Sequence, residues 1–102
     1  MSEVTITRSN FDQIRNSDKP VLIDFWAPWC MPCRMMSSVV AKLAEEYEGK
    51  AVIGKVNVDE EPEIAAAFGV ASIPTFAVIR DGRVVRTKIG AMPKFSLEAM
   101  LK

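Results

Sequence analysis

Val21-Leu22-Ile23-Asp24-Phe25-Trp26-Ala27-Pro28-Trp29-Cys30-Met31-Pro32-Cys33 is the stretch on which the reading of this chain turns. Its first six residues are nearly continuous in apolar side chains, the pattern of a strand buried on both faces, with Asp24 the exception. From Cys33 onward Met36, Val39, Val40, Leu43 and Tyr47 recur at helical spacing, with Lys42, Glu45, Glu46 and Glu48 on the opposite side and Gly49 as a stop. Two cysteines therefore fall where a buried strand gives way to the longest helix. Open α/β sheets place their sites at such strand ends.

Downstream, Ala51 to Val58 reads as another strand, and a strand, helix and strand in succession imply a right-handed parallel crossover. Pro62 opens a further helix that runs through Phe68 and ends at Gly69. Thr75 to Arg80 and Arg83 to Ile89 flank Asp81-Gly82, a two-residue hairpin signal that predicts antiparallel pairing. A last helix covers Lys94 to Leu101. Upstream, a short strand near Val4 to Thr7 leads to Ser9-Asn10, expected to cap a helix over Phe11 to Arg15 before the polar turn Asn16 to Pro20. The sum is an α/β fold, a mixed central sheet of about five strands flanked by about four helices. No repeat, linker or low-complexity tract interrupts it, so residues 1–102 are read as a single domain.

Composition narrows the chemistry. The 13 basic and 13 acidic residues cancel, and they are scattered. No stripe is left to neutralise phosphates and no polybasic anchor for a membrane surface, so nucleic acid and membrane are not expected as partners. The longest uncharged apolar stretches, such as Ile64 to Ala71, fall far short of the ~20 residues that span a bilayer. Met1 to Phe11 has no basic start with a hydrophobic stretch behind it, so a cytoplasmic location is expected. A small neutral domain is expected to be a monomer.

The chain has no histidine, which removes the commonest general base, the usual metal ligand and every imidazole-dependent triad. Cys30 and Cys33 are the only cysteines, too few for a zinc site with Cys and His ligands, and no metal is expected. Redox chemistry is the leading use of the pair. Residues at i and i+3 share one face of a helical turn, close enough to join as a disulfide or part as a dithiol. The alternative is a pair of buried thiols that only fill space. No Ser, Thr, Asp or Asn stands at the cap position, so the Cys30 sulfur is placed to receive the helix's unpaired N–H groups. Those donors and the helix dipole favour the thiolate, lower the Cys30 pKa toward neutrality and make Cys30 the nucleophile. Cys33, one turn further in, is expected to be more buried and to act second. Pro32 forfeits no hydrogen bond in the first turn.

Asp24 shares its strand face with Leu22 and Trp26, so it reads as a carboxyl in apolar surroundings with a raised pKa; a solvated edge residue is the alternative. Lys55 lies in the next strand, where a surface lysine is the plain reading. Met35 and Met36 read as packing under the helix, and Phe25 and Trp26 as core. Asp59, Glu60, Glu61 and Glu63 read as a solvated helix start. Trp29, beside the nucleophile, has the better claim to function.

Val21 to Trp29, Pro32-Cys33-Arg34-Met35, Lys55-Val56-Asn57-Val58-Asp59, Ile73-Pro74-Thr75 and Gly90-Ala91, taken in order, resemble the thioredoxin family along the whole chain. The resemblance implies a general protein-disulfide reductase. In it Cys30 attacks a substrate disulfide, Cys33 releases the product, and the chain takes part in electron transport and cell redox homeostasis. It assigns Asp24 to proton transfer at Cys33, through a water or directly, with Lys55 as its partner. It makes Pro74 cis, facing the disulfide and offering the backbone of Ile73 to an extended substrate segment. Trp29, Met31, Pro32, Gly90 and Ala91 complete a shallow apolar docking surface. No tightly bound cofactor is implied. The implied partners are disulfide-containing proteins and a thioredoxin reductase, flavin- or ferredoxin-linked.

Two residues depart from the family pattern. Met31 replaces the usual Gly before Pro32, and is expected to add apolar contact with protein substrates and narrow access for small thiols. Ser38 stands where the family has a helix-kinking proline, so the long helix is expected to bend less or differently. Two rival readings are an oxidant or isomerase on the same fold, and a binding module in which the surface around Trp29, Ile73 and Ala91 is a platform and the cysteines are incidental.

Overall fold

Five strands assemble into a single mixed sheet in the computed structural model, which describes residues 2–102. Met1, the first residue of the expected domain and of the stretch read for an export segment, lies outside the described residues. The elements are β1 (Val4–Thr5), α1 (Phe11–Arg15), β2 (Val21–Trp26), α2 (Met31–Glu46), β3 (Val52–Asn57), α3 (Pro62–Ala67), β4 (Thr75–Arg80), β5 (Arg83–Ile89) and α4 (Lys94–Met100). Strand order is β1-β3-β2-β4-β5, so β2, with five apolar residues of six, takes the middle of the sheet. β2 runs parallel to β3 and antiparallel to β4, with Asp24 opposite Lys55 on one side and Phe76 on the other.

Alternation along the strands divides the core in two. Leu22, Ile53, Phe76 and Val78 face one side, where Met36, Val40, Leu43 and Ala44 of α2 and Leu97 and Met100 of α4 cover them. Val21, Ile23, Phe25, Val56, Ala77 and Ile79 face the other, where Ile64 and Ala65 of α3 pack on them and Phe11, Ile14 and Phe68 close the edge. Complete burial of a Phe, Ile or Leu side chain contributes about 1.5–3 kcal/mol, so both layers are needed to order the sheet.

The β4–β5 hairpin turns through Asp81 at φ 53° and Gly82 at φ 78°. Both central residues have the positive φ that matches the twist of paired strands, which is why Asp-Gly announces the turn. The expected cap of α1 is different in detail. Asn10 occupies the N-cap position, but its side chain turns back to the preceding loop, accepting from the Thr7 N–H at 2.8 Å and donating to the Thr5 carbonyl at 3.0 Å. Both side-chain groups of Asn10 are thus used to tether the strand-to-helix bend, where Asn commonly bonds nearby backbone.

Candidate functional site

The end of β2 delivers Ala27 into the core and leaves Pro28 and Trp29 outside, so the chain enters α2 at Cys30 from the C-terminal end of the central strand. Cys30 is the N-cap residue in extended conformation, and its Sγ accepts the Cys33 N–H at 3.3 Å. The sulfur thus stands in for the missing Ser, Thr, Asp or Asn cap. Its carbonyl accepts the Arg34 N–H at 3.1 Å, which starts the helix while Pro32 sits in the first turn where no donor is needed. Cys30 and Cys33 form a disulfide, with Cα atoms 5.3 Å apart. Their sulfurs differ in outlook: Cys30 lines an open groove of about 550 Å³, whereas Cys33 faces a separate crevice of about 220 Å³ beside Trp26, Arg34, Ser37 and Lys55.

Trp29, Met31, Pro32 and Ile73 line the groove with Cys30. The Ile73–Pro74 peptide is cis, and the Ile73 carbonyl oxygen lies 3.8 Å from Cys30 Sγ. Pro74 itself is buried behind this contact. Gly90 and Ala91 are outside the groove lining; the Gly90 N–H donates to the Pro74 carbonyl at 2.8 Å, so they flank the cis proline. Val58, Ala65, Val70 and Ala71 form walls that the sequence reading did not name. They come from the end of β3, from α3 and from the segment after it, and no spacing within any one of these marks them as neighbours of Cys30.

Two readings are corrected here. Met35 is 70% exposed and does not pack under α2, because it follows the buried Cys33 by two residues and so falls on the other side of the helix; Met36 alone enters the core. Asp59 is no part of a helix start, since α3 begins at Pro62; its Oδ2 accepts the Trp29 indole N–H at 2.8 Å and holds the ring, itself 70% exposed, over the groove. An indole N–H beside an acidic loop is the signal that marks such a pair in sequence, but a separation of 30 residues hides it. Met31 is 61% exposed at the groove's mouth.

Asp24 is buried, with 1% of its surface exposed, and its Oδ1 has no hydrogen-bond partner among the described residues. Loss of water pushes its pKa up to about 7 from 3.8, against the pull of the Lys55 ammonium and with a further push from Glu3. Lys55 acts on Asp24 without a direct ion pair among the described residues; its Nζ rests over Trp26, 4.5 Å from the ring centroid. Trp26 is therefore only partly core, serving as the floor on which the cation lies. Among the described residues no group of three or more Cys, Asp or Glu side chains is arranged to hold a metal ion, and no helix is long and apolar enough to cross a membrane.

The thioredoxin family model matches residues 2–102. A thioredoxin of Porphyra purpurea is 51% identical, with 99% of this chain and 95% of the relative covered. One from Alicyclobacillus acidocaldarius subsp. acidocaldarius is 50% identical over 96% of this chain and 93% of its own length. One from Chlorobaculum thiosulfatiphilum is 54% identical over 86% and 82%. The match extends over nearly the whole chain at about half identity, and on that ground the chain belongs to the thioredoxin family of protein-disulfide oxidoreductases.

Proposed function

We propose that Cys30 is the attacking nucleophile and Cys33 the resolving thiol when this chain reduces protein disulfides, with Asp24 moving the proton and Lys55 adjusting it. The Cys30 thiolate attacks one sulfur of a substrate disulfide; the Cys30–substrate bond forms as the substrate bond breaks, and the other substrate sulfur leaves as a thiolate. Cys33 then gives its proton to Asp24, directly or through a water, and attacks Cys30 Sγ. The Cys30–Cys33 bond forms, the mixed disulfide breaks, and the second substrate sulfur departs. Two electrons have passed to the substrate.

The observation that carries this order is that Cys30 lines the open groove whereas Cys33 does not. The N–H directed at Cys30 Sγ supports it, since a thiolate is the stronger acceptor. Trp29, Met31, Pro32 and Ile73 would hold an extended substrate segment, with Pro74, Gly90 and Ala91 shaping the flank. Backbone pairing at Ile73 accounts for broad substrate range. The reaction uses no tightly bound cofactor. A thioredoxin reductase, flavin- or ferredoxin-linked, restores the dithiol. Residues 1–102 work as one domain, as a monomer, in the cytoplasm, where a reductant of protein disulfides has use.

Mixing the Cys33→Ser variant with a disulfide-bonded protein tests the order. It accumulates a mixed disulfide through Cys30, seen on non-reducing gels, while Cys30→Ser forms none at a comparable rate. Equal trapping through Cys33 reverses the assignment. Biological function retained by the Cys30→Ser, Cys33→Ser double variant replaces the redox reading with a binding platform.

A further inference from the structure

Two buried carboxyl oxygens have no hydrogen-bond partner among the described residues: Oδ1 of Asp24, which the proposed reaction uses, and Oε2 of Glu3, which it does not. Such acceptors are rare in folded proteins and call for an explanation. Strand order supplies one. β3 lies between β1 and β2, and the parallel registers set Thr5 and Asp24 each opposite Lys55. Glu3 precedes Thr5 by two residues, so the alternation of an extended chain turns it to the same face of the sheet. One cation on β3 thus stands between carboxyl groups from either side.

The crevices agree with this placement. Glu3, Trp26 and Lys55 line a space of about 230 Å³, and Trp26 and Lys55 also line the adjoining one that reaches Cys33. Lys55 and its aromatic floor are therefore common to the Glu3 side and the Cys33 side.

We infer that Glu3 is a positioning residue of the exchange reaction: it shares the Lys55 ammonium with Asp24 and so sets how readily Asp24 takes the proton of Cys33. The inference rests on the proton-transfer role proposed above for Asp24. Glu3 lies two strand spacings across from Asp24 and two residues along, about 12 Å away on strand geometry, and its charge opposes a second anion on that face. Burial and Glu3 act together to keep Asp24 protonated, and Lys55 acts against them. The balance makes Asp24 a stronger base near neutrality, better matched to a thiol than an ordinary carboxylate. The other charges around these crevices are Glu60 and Glu61 beside Glu3, and Arg34 beside Cys33. Glu61 is paired with Arg8 at 3.9 Å, Glu60 is exposed and screened, and β4 presents the uncharged Phe76 to Asp24.

The test is a carbon-13 NMR titration of the Asp24 carboxyl in the oxidised Glu3→Gln protein, together with the pH profile for release of a mixed disulfide. At low ionic strength the Asp24 midpoint falls by about 0.25 unit or more, the shift a unit charge at about 12 Å produces in the dielectric of water. The acidic limb of the release profile moves the same way. Glu3→Asp keeps the charge and restores most of the shift. In an Asp24→Asn background, adding Glu3→Gln leaves the profile where Asp24→Asn alone puts it. An unmoved Asp24 midpoint overturns the inference, and so does a profile shift that persists without Asp24. If Asp24→Asn resolves mixed disulfides at the parent rate, the underlying proton-transfer reading fails instead; the titration distinguishes the two, because it is read without catalysis.

Discussion

Asp24 costs the fold stability whenever it is ionised, because the middle strand of the sheet gives its carboxylate no water. Its pKa stands near 7 in the folded chain against 3.8 for the unfolded reference, so the folded state holds the extra proton between those values. The contribution is fully favourable below about pH 4, declines as pH rises, and is lost above about pH 7. Asp24→Asn therefore stabilises the protein by up to about 4 kcal/mol at pH 8 and by little at pH 4, as denaturant unfolding at the two pH values will measure. At this scale the sequence is read well wherever a residue's neighbours are its own element: Asp24 inside an apolar run and Cys30 at a helix start are examples. It is read poorly where the partner is remote. Asp59 shows no partner until Trp29 is brought to it, and Met35 looks like core until the helix phase is set by what packs against it.

Among the elements, β1 and β3 meet at a close contact that only glycine permits. A Cβ at Gly54 would overlap the Ile6 side chain, with Ile6 Cγ1 2.8 Å away, so the buried Ile6 would have to shift. Gly54→Ala is expected to cost about 1–3 kcal/mol in denaturant unfolding, the usual penalty of overpacking. Adding Ile6→Val, which removes the Cδ1 methyl, recovers part of that loss, a non-additivity that marks direct contact. Helix boundaries were legible because their chemistry is local. Gly49 and Gly69 terminate helices at positive φ, and Pro62 opens one. The Asn10 cap was not, since the same side chain has two sets of backbone partners within reach and the bend, not the helix, uses it.

Across the whole molecule, one sheet separates two apolar layers that share no side chains. Ile53 belongs to the α2 and α4 layer and Ile79 to the α1 and α3 layer. Ile53→Val and Ile79→Val are each expected to cost about 0.5–1.5 kcal/mol, and the double variant to lose the sum within about 0.5 kcal/mol. Unfolding by urea, with an unchanged slope, measures this; a marked excess in the double variant would mean that the layers are coupled through strain in the sheet.

What the sequence by itself determined is the kind and order of the elements, the Asp-Gly hairpin, and the cysteine pair at a strand-to-helix junction. These follow from periodicity, turn chemistry and capping, which act over a few residues. Tertiary structure alone decided the strand order, the registers, the groove walls from Val58, Ala65, Val70 and Ala71, and the place of Glu3 across β3 from Asp24. Those depend on which faces are buried against which, a property of the folded sheet that neither spacing nor composition expresses.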